Sequence, residues 1–201
     1  MCRARRIGFS VHDTQRSGTR ELNLRVNEPN SASSSHDAFA DMFSANTSYT
    51  KNFSLRGLKP VAARGLALVT CMDSRIEPLE TLGLEPGDAK ILRNAGSRVT
   101  DDTLRTLVLA VYLLGVDRVL ILPHTRCKMA SVESDDAVHD LILDEYGVDT
   151  RSLEFHTNND QVGALRHDLE RIRHHPLLPK ELPVAGAIYD VDTGKVHPVD
   201  V

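Results

Sequence analysis

The chain has 201 residues, 41% hydrophobic and 26% charged, the balance of a soluble globular protein long enough for one sizeable core. Its net charge of −4 argues against nucleic acid as the main partner, and no apolar run approaches the roughly 18 residues of a membrane span. Trp is absent and aromatics make up 4%, so the core has to be assembled from Leu, Val, Ile and Ala.

Charge is unevenly spread. The first 55 residues hold seven Lys/Arg and five Asp/Glu, a balance of +2, which leaves −6 for residues 56–201. Residues 1–37, including Ser31-Ala32-Ser33-Ser34-Ser35, are poor in apolar runs and are expected to form a disordered tail. Arg3, Arg5 and Arg6 raise a targeting reading, but no apolar stretch supports a secretory signal, and Asp13 and Glu21 count against a transit peptide. Residues 38–201 are expected to form one domain, opening with a helical arm over 38–55.

From residue 60 the pattern sharpens. Leu66-Ala67-Leu68-Val69-Thr70 is a continuous apolar run, as expected of a strand covered on both faces. Ser74 and Glu77 have capping-box spacing for a short helix beyond it. Residues 89–92 read as a second strand. Thr100-Asp101-Asp102 places a cap and two acids at a helix start, and that helix runs to Leu114 and stops at Gly115. Residues 107–114 are apolar throughout, so this helix is expected to be covered on more than one side, in part by a second subunit. A third strand spans 118–122. Helices follow over 132–146 and 161–174, then a fourth strand over 184–189. A turn at Asp190-Val191-Asp192-Thr193-Gly194-Lys195 leads to an antiparallel edge strand over 195–198. The fold class is α/β: a mostly parallel central sheet of four strands plus a C-terminal antiparallel edge strand, with helices on both faces.

Two motifs carry the chemistry. Cys71-Met72-Asp73-Ser74-Arg75 begins where the first strand ends, and His124-Thr125-Arg126-Cys127 begins two residues after the third. In open α/β sheets ligands bind beyond the carboxyl ends of the strands, so both motifs face one rim. One helical turn would put His124 and Cys127 on the same side. An extended segment would do the same for Cys71, Asp73 and Arg75. Two thiolates and an imidazole suit zinc with its fourth place open. Taken singly, a buried Cys is a small core hydrophobe, a His after a strand is simply hydrogen-bonded, and Asp73–Arg75 is a surface ion pair. The third cysteine, Cys2, stands in the polar tail. An odd count with two thiols in compact motifs favours metal binding in a reducing, cytoplasmic setting over a disulfide framework.

From residue 60 onward the chain resembles the β-class carbonic anhydrases, most closely their short bacterial form. The resemblance rests on Cys71-Met72-Asp73-Ser74-Arg75, Arg93-Asn94-Ala95-Gly96, Val99-Thr100-Asp101-Asp102, His124-Thr125-Arg126-Cys127 and Tyr189-Asp190-Val191-Asp192-Thr193-Gly194. It implies that Cys71, His124 and Cys127 bind Zn2+ and that Asp73 and Arg75 form the catalytic dyad beside it. It implies reversible hydration of carbon dioxide to bicarbonate by a zinc-bound hydroxide, in a homodimer or homotetramer. Relatives that hydrolyse carbonyl sulfide or carbon disulfide keep a second enzymatic reading open, and a non-catalytic zinc module is a third. The chain departs from the family at Lys128, usually Gly, and at Arg126, where the short forms tend to have Asp. Lys does not readily take the backbone conformations open to Gly, and two cations beside the metal would either draw bicarbonate or another anion in or slow its release, so turnover and substrate are in question there more than zinc binding.

Overall fold

The computed structural model describes residues 36–200. All but the last two residues of the expected tail lie outside that range, as does Cys2. The chain divides into two compact units, Met1–Phe53 and Ser54–Val201. The described part of the first unit is a 3₁₀ turn at Asp37–Phe39, helix α1 at Ala40–Tyr49 and a second 3₁₀ turn at Thr50–Asn52. It bears out the helical arm. Its large apolar residues Phe39, Met42, Phe43, Tyr49 and Phe53 are all exposed.

The second unit holds strands β1 (Leu66–Cys71), β2 (Ala89–Asn94), β3 (Arg118–Leu122), β4 (Val184–Tyr189) and β5 (Val196–Val199). Its helices are α2 (Pro78–Thr81), α3 (Asp101–Leu113), α4 (Asp135–Tyr146) and α5 (Gln161–Arg173). The sheet order is β2-β1-β3-β4-β5, parallel except for β5, which runs antiparallel to β4 at the edge. This is the expected architecture.

Burial explains why β1 reads as an unbroken apolar run. Ala67 and Val69 face a core built with Leu104, Leu107 and Ala110 of α3 and Leu165, Leu169 and Ile172 of α5. Leu68 points the other way, to Leu122, Ala187 and the side chains of Leu82 and Tyr189. At the start of β1, Gly65 has φ +66°, and a Cβ there would collide with the Asp117 carboxylate. Its carbonyl accepts from the Asp117 and Arg118 N–H groups, which seats β3 beside β1.

Helix ends follow local chemistry, with two departures from expectation. The Thr100 hydroxyl caps α3 as expected, accepting from Thr103 N–H. The helix before Gly147 starts at Asp135 rather than 132, because Ser134 caps it through Ala137 N–H while the Ser131 hydroxyl is taken by the Lys128 carbonyl. Ser74 and Glu77 form no capping box. The short helix begins at Pro78, and the residue before a proline is driven to extended geometry, here Glu77 at φ −102°, ψ 94°. On α3, Leu107 and Ala110 are buried, whereas Leu109, Tyr112 and Leu113 face outward. No helix among the described residues is long and apolar enough to cross a membrane.

Candidate metal centre

Sheet register sets the site. Thr70 pairs with Leu122, and the Thr70 hydroxyl donates to the Leu122 carbonyl at 2.8 Å, so β1 and β3 end side by side. Cys71 is the last residue of β1. His124 is held against β4 by a bridge to Tyr189, with Tyr189 N–H donating to the Pro123 carbonyl and Thr125 N–H to that of Tyr189. The chain then turns through Arg126 at φ +54° and brings Cys127 back over Cys71. The two sulfurs stand 4.0 Å apart, and both cysteines and His124 offer ligand atoms within 4.8 Å of one another. All three are buried, at 5%, 0% and 3% exposure in chain order.

The convergence expected of these residues is present, but by another route. His124 and Cys127 meet through a left-handed turn, not a turn of helix. Asp73 and Arg75 do not lie along an extended strand either. Arg75 N–H donates to Asp73 Oδ1 at 3.0 Å, closing a tight side-chain turn. The guanidinium then folds back, with Nε on Oδ1 at 2.8 Å and Nη2 on Oδ2 at 2.7 Å. That two-pronged grip holds the Asp73 carboxyl well below the usual carboxylate range. Asp73 Oδ2 also stands 3.7 Å from His124 Nε2.

Arg93 holds the backbone of the first motif in place. Its Nε donates to the Cys71 carbonyl at 2.9 Å and its Nη2 to the Asp73 carbonyl at 2.6 Å, pinning the backbone between them. Only its place in the Arg93-Asn94-Ala95-Gly96 motif pointed to it. Asn94 spans its own loop, its side chain bonded to Arg98 N–H and carbonyl. His139 bonds to Thr150 and packs on Phe155, while His174 closes α5 against Glu170, as a helix-end histidine should.

A hydrogen bond from the Cys127 thiol outweighs burial and, with the Gly96 and Asp73 N–H groups, pulls the Cys71 thiol far down. Cys127 is pushed up by the Cys71 sulfur beside it and by burial. Burial lowers the His124 pKa, but the Cys71 thiolate and the Thr125 carbonyl more than offset it, so the net shift is upward.

The residues from 66 to 196 match the family model described as carbonic anhydrase. The chain is 36% identical to β-carbonic anhydrase 1 of Mycobacterium tuberculosis over 161 residues, covering 79% of this chain and 96% of that protein. It is 31% identical to a carbon disulfide hydrolase of Saccharolobus solfataricus, covering 73% and 83%. Among solved structures, the carbonic anhydrase of Streptococcus mutans superimposes with a TM-score of 0.77 at 36% identity, covering 84% of this chain and all of that one. The chain belongs to the β-class carbonic anhydrase family.

Enzymes of this family use zinc, and the donors fit it. His124 Nδ1 faces the Thr125 carbonyl at 2.9 Å; a carbonyl only accepts, so Nδ1 carries the hydrogen and Nε2 presents a lone pair. That Nε2 is buried and has no partner among the described residues. Two sulfurs on one tetrahedral zinc are about 3.8 Å apart for bonds of about 2.3 Å, close to the observed 4.0 Å.

The two departures from the family pattern fall differently from expectation. The left-handed residue is Arg126, whereas Lys128 opens a 3₁₀ turn and has no positive φ. Lys128 therefore carries no backbone strain. The Arg126 guanidinium is turned away to Asp192 in the β4–β5 turn, while its carbonyl accepts from Arg75 Nη2 at 3.3 Å.

Proposed function

We propose that this protein is a zinc-dependent carbonic anhydrase, interconverting carbon dioxide and bicarbonate with Cys71, His124 and Cys127 as ligands and Asp73 and Arg75 as the catalytic dyad. One observation carries the reading. Three buried soft and borderline donors converge beyond the carboxyl ends of the inner strands β1 and β3, and the carboxylate nearest to them is gripped by a guanidinium.

Zinc, when bound, makes water acidic enough to serve as a nucleophile near neutral pH. The chain supplies the rest. Arg75 keeps Asp73 ionised and occupies both of its oxygens, so the carboxylate is held off the donor cluster. In that position Asp73 accepts a hydrogen bond from the attacking water and aims its lone pair at the carbon of CO2. Water plus CO2 becomes bicarbonate plus a proton, and the proton leaves to buffer. Arg93 fixes the main chain at both ends of this step, at Cys71 and at Asp73.

Zinc content together with stopped-flow CO2 hydration tests the assignment. Wild-type protein is expected to hold one zinc per chain and to turn over. Cys127→Ser and His124→Ala are expected to lose both metal and rate. The likeness to carbon disulfide hydrolases favours a second reading on the same site, hydrolysis of carbon disulfide or carbonyl sulfide. Sulfide release faster than CO2 hydration would select it, and a zinc-loaded protein inert toward all three substrates would leave a binding module.

The working form is proposed to be a homodimer or homotetramer. Exposed Leu109, Tyr112 and Leu113 on α3 support this, as does the exposed aromatic set of the arm that opens the proposed 38–201 domain. Light scattering on the eluted protein reads the number of chains. A cytoplasmic location is proposed because Cys71 and Cys127 are free thiols that an oxidising compartment would threaten.

A further inference from the structure

The corner between the loop 155–159 and the start of α5 reaches all three donor segments from behind. Asn158 N–H donates to the Met129 carbonyl at 3.0 Å, two residues beyond Cys127. Asn158 Nδ2 faces the Gly96 carbonyl at 3.4 Å, and Gly96 lies two residues beyond Asn94, the register partner of Cys71. Gln161 Nε2 donates to the carbonyl of His124 itself at 2.9 Å. Each contact goes to main chain, so each fixes where a loop lies rather than what its side chain does.

The corner is built to stay put. The Asp135 carboxylate accepts from the N–H groups of Phe155, His156 and Thr157 and from the Thr157 hydroxyl. Arg98 Nη1 donates to the His156 carbonyl while its other nitrogens hold Asp168 of α5. His156 has φ +56°, a conformation that persists in a non-glycine residue only where the surroundings over-determine it.

Asn158 is 5% exposed, and its Oδ1 has no partner among the described residues. It lines a cavity of about 10 Å³ together with Arg98, Gln161 and Asp168, room for one water. Turning the amide over would set Oδ1 against the Gly96 carbonyl, acceptor against acceptor. The donor end is thus committed to the loop beside Cys71.

We propose that Asn158 and Gln161 are positioning residues of the metal centre, setting the loops of Cys71, His124 and Cys127 at the spacing at which the three hold zinc. The proposal rests on the reading of those three as ligands. The test is the rate of zinc release to a chromophoric chelator, with the visible spectrum of the cobalt(II)-substituted protein, for Asn158→Ala and Gln161→Leu. Val116→Ala is the control, a core cavity just ahead of β3, at the end of the strand away from the donors. Release is expected to be 10- to 100-fold faster than in wild type, with altered cobalt bands, in both variants and not in the control. Release within twofold of Val116→Ala, with unchanged bands, would overturn the proposal. Should Asn158→Ala not fold, Gln161→Leu, at a half-buried position, decides alone. A wild-type protein that holds no zinc, or a Cys127→Ser variant that holds as much, would instead remove the ligand reading and the proposal with it.

Discussion

Arg75 holds both oxygens of Asp73 while Asp73 Oδ2 lies only 3.7 Å from the buried Nε2 of His124. The guanidinium therefore decides which way the carboxylate faces. In Arg75→Ala the Asp73 carboxylate is free to turn into the donor cluster and take the open position. CO2 hydration is expected to fall by at least about 100-fold, the scale of losing a positioned proton acceptor, while zinc content stays at wild-type level. Stopped-flow rates beside metal analysis of the same sample check this. Normal turnover in the variant would dismiss the dyad.

Lys128→Gly bears on the departure from the family pattern. Lys128 has no positive φ, so glycine relieves no strain there and only loosens the unfolded chain. The expected result is a CO2 hydration rate within about threefold of wild type and a stability loss of about 0.5–1 kcal/mol. A large gain in rate would show that the lysine side chain itself obstructs the site.

Much of the fold was legible because β1 and β3 are buried on both faces, which turns burial into a continuous apolar run. Helix starts were legible where one cap had no competitor, as at Thr100. The start of α4 was not, because Ser131 and Ser134 both offered a cap and only contacts with Lys128 and Ala137 separate them. The donor set could be named from residue chemistry and strand ends, but not the path between donors. Nothing in an arginine announces the left-handed turn at Arg126, as a glycine would have. Asn158 and Gln161 were invisible for a different reason: their partners are main-chain carbonyls 62 and 37 residues away, and no spacing rule reaches that far.

Asp135 gives the acid limb of stability a named contributor. Burial opposes its ionisation, but bonds from the Thr157 N–H and hydroxyl and the His156 and Phe155 N–H groups outweigh it, and its pKa drops to about 2. A depressed carboxyl stabilises the fold fully above its unfolded value near 4 and loses that contribution as pH falls toward 2. Asp135→Ala should therefore cost about 1–2 kcal/mol at pH 7, allowing for solvent screening, and less at pH 3. Urea denaturation of both proteins at the two pH values measures the gap. A gap that does not narrow would mean the charge is not the cause.

Asp168 and Asp140 both meet an arginine at short range, 2.7 Å from Arg98 Nε and 2.6 Å from Arg151 Nη2, but in different surroundings. The Asp168 side chain is 2% exposed and also accepts from Val99 N–H, whereas that of Asp140 is 64% exposed. Removing Asp168 leaves Nε and Nη2 of the largely buried Arg98 guanidinium, and the buried Val99 N–H, without their acceptor. Water replaces what Asp140 supplied. Asp168→Ala is expected to cost about 3–5 kcal/mol, and Asp140→Ala no more than about 1 kcal/mol. For a chain of this size the first corresponds to a fall in Tm on the order of 10 °C. Urea midpoints for the two variants make the comparison. Equal costs would show that water reaches Arg98 once its carboxylate is gone, and that burial does not set the strength of this pair.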